Sequence, residues 1–472
     1  MEAAIREQGQ AFDADVTANV SSLRGRLAGH ISLPNEAGFE GSTHAWNLTT
    51  NHRPSLVVEA VNEQDVVESV SFAKENGLAI CVQATGHGQP RNCEGGLLLN
   101  LRNLTGVDID PVARLARIAG GTVWKDVIEA AHEHGLVPIS GSSPGVGVVG
   151  YTLGGGFGLL SRKYGLAIDT VESFRIVTAD GRVREVSASS EPDLFASLLG
   201  GGGAFGVVTQ ITMRLMPAGP MFAGSVMFDA RLAGEIYPTF HRWCETLPDD
   251  VSAAIMLMTF PPVPFVPEFL HGRSMVIVAA TVLGHPDEAE RWLASIRSIA
   301  GAEFDSFRPI MYTESATVFN DPVDPLPAKG RGVLIRDLDD EAISTMLEAI
   351  GPAAQSPNLM IQLRQLGGAI AYSDGKKSAL GDRRSAKYIL YLLGVPMGPV
   401  TPQDMEAHAE GVFKALAPYV LCRGPLNWVG EGDVTHSKIK DVFHADDYSS
   451  LAATKAHVDP DNVFRFASLG LD

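Results

Sequence analysis

Residues 141–158 read GSSPGVGVVGYTLGGGFG, and eight of these eighteen positions are glycine. Upstream, residues 84–89 read ATGHGQ, a second loop of small residues with a histidine at its centre. Glycine has no Cβ, so the backbone amides of such loops can approach an anionic ligand closely. The two segments together predict one site for a large anionic ligand.

His87 stands at the centre of the first loop. It is placed to contact, or to form a bond to, the ligand that the two loops hold. Glycine-rich loops combined with such a histidine favour a flavin as that ligand. On the residues alone, the simpler alternative is that His87 only forms hydrogen bonds within its own loop.

The bulk composition limits the classes of protein to consider. The chain has 472 residues, for which two or three domains are ordinary, and ten of its 49 glycines lie in the two loops just quoted. The formal net charge of −18 repels phosphate backbones and anionic lipids, which argues against nucleic acid or a membrane as the main partner.

The terminus and the cysteines indicate a compartment. Residues 1–15 lack the apolar centre of a signal peptide, and no run reaches the roughly 18 apolar residues of a membrane span. The cysteines show no metal-ligand spacing. We therefore expect a reduced, cytoplasmic protein without a bound metal. The cysteines are Cys81, Cys93, Cys244 and Cys422.

Apolar periodicity predicts the order of helices and strands. A strand at 55–61, a helix from Asn62 to near Gly77 and a strand at 78–82 form a β-α-β unit that leads into the histidine loop. An amphipathic helix is expected over 122–134, with Thr122 as its N-cap. Beyond residue 220, long strand-like runs alternate with amphipathic helices. The pattern predicts an α+β protein with two domains.

Five segments, in this order, resemble the FAD-linked oxidases of the vanillyl-alcohol oxidase superfamily. Within it, the likeness is to the berberine-bridge-enzyme-like branch, of the 6-hydroxynicotine oxidase type. The segments are TGHG (85–88), GVGVVGYTLGGGFG (145–158), RKYGLAID (162–169), GGGGAFGVVT (200–209) and DPDNVFRF (459–466).

The resemblance implies a two-domain FAD-binding fold of the PCMH type. Residues 1–220 would form the FAD-binding domain, 221–415 a substrate domain whose antiparallel sheet covers the flavin ring, and 416–472 a return to the first domain. It also implies that FAD is bonded covalently to His87. Ser143 stands where many members have a second, cysteinyl link, so we expect a single link through His87 and no cysteinyl link.

The resemblance further implies which residues contact FAD. The chain departs from the family at Ala204, where asparagine is usual, and at Leu199, where arginine is frequent. The cofactor-binding residues expected are Ala84, Thr85, Gly86, His87, Gly88, Gln89, Ser143, Gly147, Gly150, Tyr151, Gly154, Gly155, Gly206, Val208 and Asn427.

Two catalytic bases known from the family are missing here. Pro425 replaces a tyrosine, and no glutamate follows the strand expected at 388–393. The polar candidates that remain are Gln362, Arg364 and Tyr391. Alternation places Gln362 and Arg364 on one face of a strand. Tyr391 is the first choice for a polar group over the flavin, although a half-buried tyrosine of purely structural role is the alternative.

The expected function is an oxidase that removes a hydride from a small organic alcohol or amine and passes the electrons to dioxygen. The missing bases fit an amine or a substrate that is itself acidic. One alternative is a dehydrogenase with another acceptor. A second is a flavin-retaining protein without redox turnover, such as a binding protein or a non-redox cyclase. The sequence leaves open whether the protein is a monomer or a homodimer.

Overall fold

The helices and strands come from a computed structural model. It describes residues 14–88, 91–264, 266–351, 354, 356–372, 377–380, 383–422, 424–430, 433, 436–467 and 469. The α-helices are α1 (Ala14–Arg24), α2 (Phe39–Thr43), α3 (Glu63–Glu75), α4 (Trp124–His132), α5 (Val148–Leu153), α6 (Ser161–Tyr164), α7 (Pro192–Leu198), α8 (Ala233–Cys244), α9 (Pro286–Arg297), α10 (Asp340–Ile350), α11 (Pro402–Ala415), α12 (His436–Ile439) and α13 (Ala445–Val458). Short 3₁₀ helices lie at Ala167–Thr170, Ala230–Leu232, Glu268–Leu270, Tyr312–Val318, Gly368–Ile370, Leu426–Trp428 and Lys440–Val442.

The strands alternate with these helices along the whole chain. They are β1 (His30–Ser32), β2 (Leu56–Glu59), β3 (Ile80–Gln83), β4 (Leu97–Asn100), β5 (Val107–Asp110), β6 (Leu115–Ala119), β7 (Leu136–Val137), β8 (Val171–Val177), β9 (Val183–Ser187), β10 (Val207–Arg214), β11 (Met216–Pro217), β12 (Met221–Asp229), β13 (Val251–Thr259), β14 (Ser274–Leu283), β15 (Ala302–Asp305), β16 (Arg308–Ile310), β17 (Lys329–Ile335), β18 (Met360–Gln365), β19 (Tyr388–Gly394) and β20 (Val420–Cys422).

The predicted β-α-β unit is β2-α3-β3. The side chain of Asn62 caps α3 by accepting a hydrogen bond from the Asp65 N–H. Strands β2 and β3 both run parallel to β4, which lies between them in a four-stranded sheet of order β1-β2-β4-β3. The carboxyl end of β3 therefore delivers the chain directly to the histidine loop.

A second, antiparallel sheet of order β5-β6-β10-β8-β9 follows. Helix α4 begins at Trp124 after Val123, so the expected N-cap at Thr122 is wrong. The Thr122 hydroxyl instead contacts the backbone of Gly106, accepting from its N–H at 3.1 Å and lying 3.2 Å from its carbonyl oxygen. Those bonds between loops occupy the hydroxyl that a cap would need.

The largest sheet has nine antiparallel strands in the order β15-β12-β14-β13-β18-β19-β17-β20, with β16 paired to β12. On one face, Ile361 and Leu363 of β18 are buried among side chains of helices α8 to α11. Gln362 and Arg364 alternate with them, which confirms that they share the other face. The mixed helices and antiparallel sheets confirm the α+β class.

The C-terminal segment packs back on the first half of the chain. The Ile80 N–H donates to the Val463 carbonyl at 2.8 Å. The buried Lys455 ammonium donates to the Ala204 carbonyl at 2.9 Å and pairs with Asp459 at 2.5 Å. The domain limits at 220 and 415 stay a prediction. Within the described part of the chain, no helix combines the length and apolarity needed to cross a membrane.

Candidate active site

The histidine loop is held by the segment before β2. The Trp46 N–H donates to the Thr85 carbonyl at 2.9 Å, and the Asn47 N–H donates to the Gly86 carbonyl at 3.1 Å. Gly86 has φ +72°, and a Cβ there would lie 2.5 Å from the Ala45 methyl. Glycine is therefore required at 86, both for its backbone conformation and for space.

The second glycine segment runs beside the start of α4 and reaches the first loop. The Trp124 N–H donates to the Val146 carbonyl at 3.0 Å, and the Val148 N–H donates to the Thr122 carbonyl at 3.0 Å. A Cβ on Gly147 would lie 3.6 Å from both the Ala84 methyl and the Thr85 hydroxyl oxygen. The structure thus brings the two predicted loops into contact.

Three glycines of these loops leave their surroundings open. Gly88 and Gly150 are exposed, and apart from the chain next to each glycine, no heavy atom of the described residues lies within 4 Å of the Cβ position of either. The Cβ position of Gly145 has the His87 ring 3.9 Å away. Because no side chain covers the backbone at these three glycines, a large ligand can approach that backbone closely, as predicted.

The His87 ring stacks on the Trp46 ring and has a hydrogen-bond partner at one of its two nitrogens. Its ring lies 4.3 Å from the Trp46 ring, centroid to centroid, at an interplanar angle of 13°. Nδ1 is 2.9 Å from the Thr85 hydroxyl oxygen, whereas the buried Nε2 has no hydrogen-bond partner in the described structure. Burial lowers the pKa of His87 to about 4. The ring is therefore neutral at neutral pH, and one of its nitrogens is free.

Asn427 fixes the second glycine segment. Its amide nitrogen donates to the Tyr151 carbonyl at 2.9 Å, and its amide oxygen accepts from the Gly156 N–H at 2.8 Å. Both ends of the amide that we expected to contact FAD therefore already bond the main chain. Asn427 shapes the loop that carries Gly154 and Gly155, because the 3₁₀ turn at 426–428 brings its side chain onto that loop.

Tyr151 lies beneath the same loop. Its ring meets Trp124 edge to face with centroids 5.5 Å apart. Its hydroxyl is buried without a hydrogen-bond partner among the residues described, and burial raises the pKa of Tyr151 well above its ordinary value. An unpaired buried hydroxyl is uncommon in folded proteins, and it marks a place where a polar ligand atom fits.

The three predicted catalytic side chains are neighbours on the large sheet. Gln362 of β18 lies directly opposite Tyr391 of β19. The Arg364 Nε donates to the Gln362 side-chain oxygen at 2.5 Å. A Cβ on Gly330 would lie 1.8 Å from the Tyr391 hydroxyl oxygen, so glycine at 330 makes room for that hydroxyl. We name Gln362, Arg364 and Tyr391 the polar row.

Aromatic rings join the polar row to the glycine segment. The Arg364 guanidinium carbon lies 4.6 Å from the ring centre of Phe319, 5.2 Å from that of Trp428 and 5.9 Å from that of Phe157. Phe157 belongs to the glycine segment, and Trp428 follows Asn427. Arg364 of the polar row therefore lies beside the second glycine segment, which in turn contacts the histidine loop.

Sequence reasoning missed one carboxylate at this site. The Ser142 hydroxyl donates to Asp321 at 2.5 Å. Burial raises the pKa of Tyr391 to about 12, while the positive charge of Arg364 lowers it and the negative charge of Asp321 raises it further. Asp321 precedes a proline and follows Asn320, which has φ +50°. In sequence this pattern is typical of a turn, so nothing marked Asp321 as a site residue.

Four further residues are predicted to contact the cofactor. Two lie near the five-stranded sheet, one lies in the second loop, and one lies outside the described residues. Val208 of β10 and Gly206, which precedes that strand, are buried, and a Cβ on Gly206 would lie 2.5 Å from the Val177 carbonyl oxygen. Ser143 is half-buried in the second loop. Gln89 lies outside the described residues. Contact of these four positions with a cofactor stays a prediction.

Comparisons with known proteins identify the class of cofactor. A family model described as an FAD binding domain matches residues 54–187. (R)-6-hydroxynicotine oxidase from Paenarthrobacter nicotinovorans is 29% identical over 457 residues, which cover 93% of this chain and 96% of that protein. Both matches include the histidine loop and the second glycine segment.

Solved structures have the same fold. 6-Hydroxy-D-nicotine oxidase from Arthrobacter nicotinovorans matches with a TM-score of 0.80 and 27% identity, over 94% of this chain and 97% of that one. BBE-like 1 from Physcomitrella patens matches with a TM-score of 0.84 and 20% identity, over 96% and 99% of the two chains. The second likeness concerns the fold alone. Together these matches confirm an FAD-binding domain, the expected likeness to 6-hydroxynicotine oxidase and the expected fold.

The Asn427 contacts yield a stability prediction. We expect Asn427→Ala to lower the free energy of unfolding by about 2 kcal/mol, because two hydrogen bonds worth roughly 1 kcal/mol each are lost. Chemical denaturation of the purified protein measures this. Asn103→Ala, at an exposed position, is the matched control. Equal midpoints for the two variants would contradict the role given to Asn427.

Proposed function

Because this chain has an FAD-binding domain, is a homologue of 6-hydroxynicotine oxidase and has the berberine-bridge-enzyme-like fold, we propose that it is an FAD-linked oxidase of a small organic alcohol or amine. One observation carries the proposal. The two glycine loops meet beside His87, and Arg364 of the polar row lies next to Phe157 of the second loop.

FAD, when bound, supplies a two-electron acceptor for a substrate hydride and allows dioxygen to take up the electrons as peroxide. The backbone of the open glycines at 88, 145 and 150 would hold the cofactor. The buried Nε2 of His87 and the unpaired hydroxyl of Tyr151 fit such a ligand, because each lacks a protein partner among the described residues.

The polar row would orient the substrate. With a pKa of about 12, the Tyr391 hydroxyl keeps its proton at neutral pH and can donate a hydrogen bond. Gln362 holds Arg364 through its side-chain oxygen. Phe319, Trp428 and Phe157 surround the guanidinium and exclude water, which strengthens polar contacts within the site. A protonated tyrosine is a poor base, which supports a neutral amine or an acidic substrate.

The oxidase proposal predicts a colour change and a product. We expect a small alcohol or amine to bleach the yellow protein without oxygen, and admitted air to restore the colour with one peroxide per flavin. Stopped-flow absorbance and a peroxide assay measure the two steps. Bleaching that only an artificial acceptor reverses would favour the dehydrogenase. The absence of bleaching across a broad amine and alcohol panel would favour the protein without redox turnover.

We also propose that FAD is bonded covalently to His87 alone. A neutral imidazole with a free nitrogen is nucleophilic towards an activated methyl group. Burial keeps His87 in this neutral form, and its stacking on Trp46 fixes the ring plane. Ser143 occupies the position expected of a second link and has no thiol, which supports a single attachment.

The covalent link predicts where flavin is found after acid precipitation. We expect the wild type to retain flavin on the peptide that contains His87, and His87→Ala to release it. The rate at which apoprotein attaches FAD should stay constant from pH 8 to about 5 and halve near pH 4, since only protonation removes the free nitrogen. His134→Ala, at an exposed position, is the control. A rate that halves near the ordinary histidine pKa of about 6.5 would contradict a buried, neutral His87.

The proposed role of Tyr391 predicts a kinetic defect. We expect Tyr391→Phe to slow anaerobic flavin reduction at saturating substrate on the order of 100-fold, while flavin content stays unchanged. Rapid-mixing absorbance measures the rate. Tyr372→Phe is the matched control, because Tyr372 is 70% exposed. An unchanged rate would assign Tyr391 to packing, the alternative that the sequence left open.

We also propose that the partners of the enzyme are a small-molecule substrate and dioxygen, and that it lies in the cytoplasm. Cys93, Cys244 and Cys422 are free thiols, which supports the proposed cytoplasmic location.

A further inference from the structure

Arg364 differs from the other buried arginines that the structure describes. Arg331 pairs with Asp433 and Glu410, and Arg383 pairs with Asp169. Arg162 bonds backbone carbonyls and lies 3.5 Å from Asp249. Arg364 is 9% exposed, and its one hydrogen bond to a described residue runs from Nε to Gln362.

The nearby carboxylate does not neutralise Arg364 directly. Asp321 acts on the guanidinium through space, but no ion pair within 4.0 Å joins the two side chains in the described structure. The Asp321 carboxylate instead accepts the Ser142 hydroxyl at 2.5 Å. The two terminal nitrogens of Arg364 therefore keep their donors available.

A buried cation with unused donors is costly for a folded protein. An unpaired buried charge loses its hydration without gaining a partner. The rings of Phe319, Trp428 and Phe157 offset part of this cost by cation–π contact. They cannot satisfy the hydrogen-bond donors in the guanidinium plane. A ligand with acceptor oxygens in that plane can do so.

We infer that the substrate of the proposed oxidase carries a planar oxyanion, a carboxylate or a ring-bound enolate, which the terminal nitrogens of Arg364 bind. This deepens the proposed function and rests on it. Arginine presents parallel N–H donors that match two coplanar oxygens or one delocalised oxyanion. Gln362 engages Nε and so fixes which edge of the guanidinium faces the ligand. The rings of Tyr391 and Trp428 meet edge to face with centroids 4.8 Å apart, which places aromatic surface beside the guanidinium for an unsaturated ligand.

The test compares a charged ligand with its neutral counterpart on the flavin-loaded enzyme. Benzoate and benzamide have the same shape and differ in charge. Titration calorimetry measures both affinities. Tryptophan fluorescence, to which Trp428 contributes, measures them independently. We expect benzoate to bind the wild type at least about tenfold more tightly than benzamide, as a charge-assisted bidentate bond predicts.

Three variants assign that preference to Arg364. Arg364→Gln should bind benzoate and benzamide equally. Arg364→Lys should keep an intermediate preference, because lysine retains the positive charge but lacks the parallel N–H donors of the guanidinium. Arg336→Gln, at an exposed position, is the matched control and should behave as the wild type. The ratio of the two affinities is internal to each variant, so a difference in flavin content does not alter it.

Two results would overturn the inference while the proposed function stands. One is a wild type that bleaches with a neutral amine but does not prefer benzoate. The other is an Arg364→Gln enzyme that keeps the preference and changes only the flavin reduction potential, which would place Arg364 at the cofactor. A wild type that carries no flavin would instead reject the proposed function itself.

Discussion

The contact between two glycine segments is the constraint on which the site depends. A Cβ on Gly147 would lie 3.6 Å from Ala84 and Thr85, and one on Gly86 would collide with Ala45. Bulky residues at these positions would separate the loops and displace His87 from Trp46. The parallel strands of the first sheet position one loop and the start of α4 positions the other, so elements of the first half of the chain position both loops.

The large sheet contributes to this site because one of its faces is apolar and packs on helices, while the other face is polar. Ile361 and Leu363 bury their side chains against helices, which anchors β18 in an apolar core. The alternate residues Gln362 and Arg364 are then obliged to face the other way. Their burial is tolerated because aromatic rings and an amide surround them. This polar face is directed at glycine loops and not at further apolar side chains. Such an arrangement is typical of a binding site and not of a core.

Sequence reasoning succeeded where the signal was local. The glycine spacing located both loops, and the alternation on β18 placed Gln362 and Arg364 together. It failed at Thr122, since a cap residue and a residue that bonds a distant loop look alike in sequence. Asp321 and the rings around Arg364 were missed because they come from separate elements that only the folded chain brings together. The glycine loops and His87 favoured a flavin, and the berberine-bridge-enzyme-like resemblance narrowed that ligand to FAD.

The contacts of the last part of the chain have a consequence for the timing of assembly. The hydrogen bonds of Asn427 to the glycine segment span 276 and 271 residues, and the Lys455 bond to Ala204 spans 251. During synthesis, the two loops leave the ribosome long before the residues that brace them. The second glycine segment and Ala204 therefore lack these braces until residues 427 and 455 have been made and have folded back onto them.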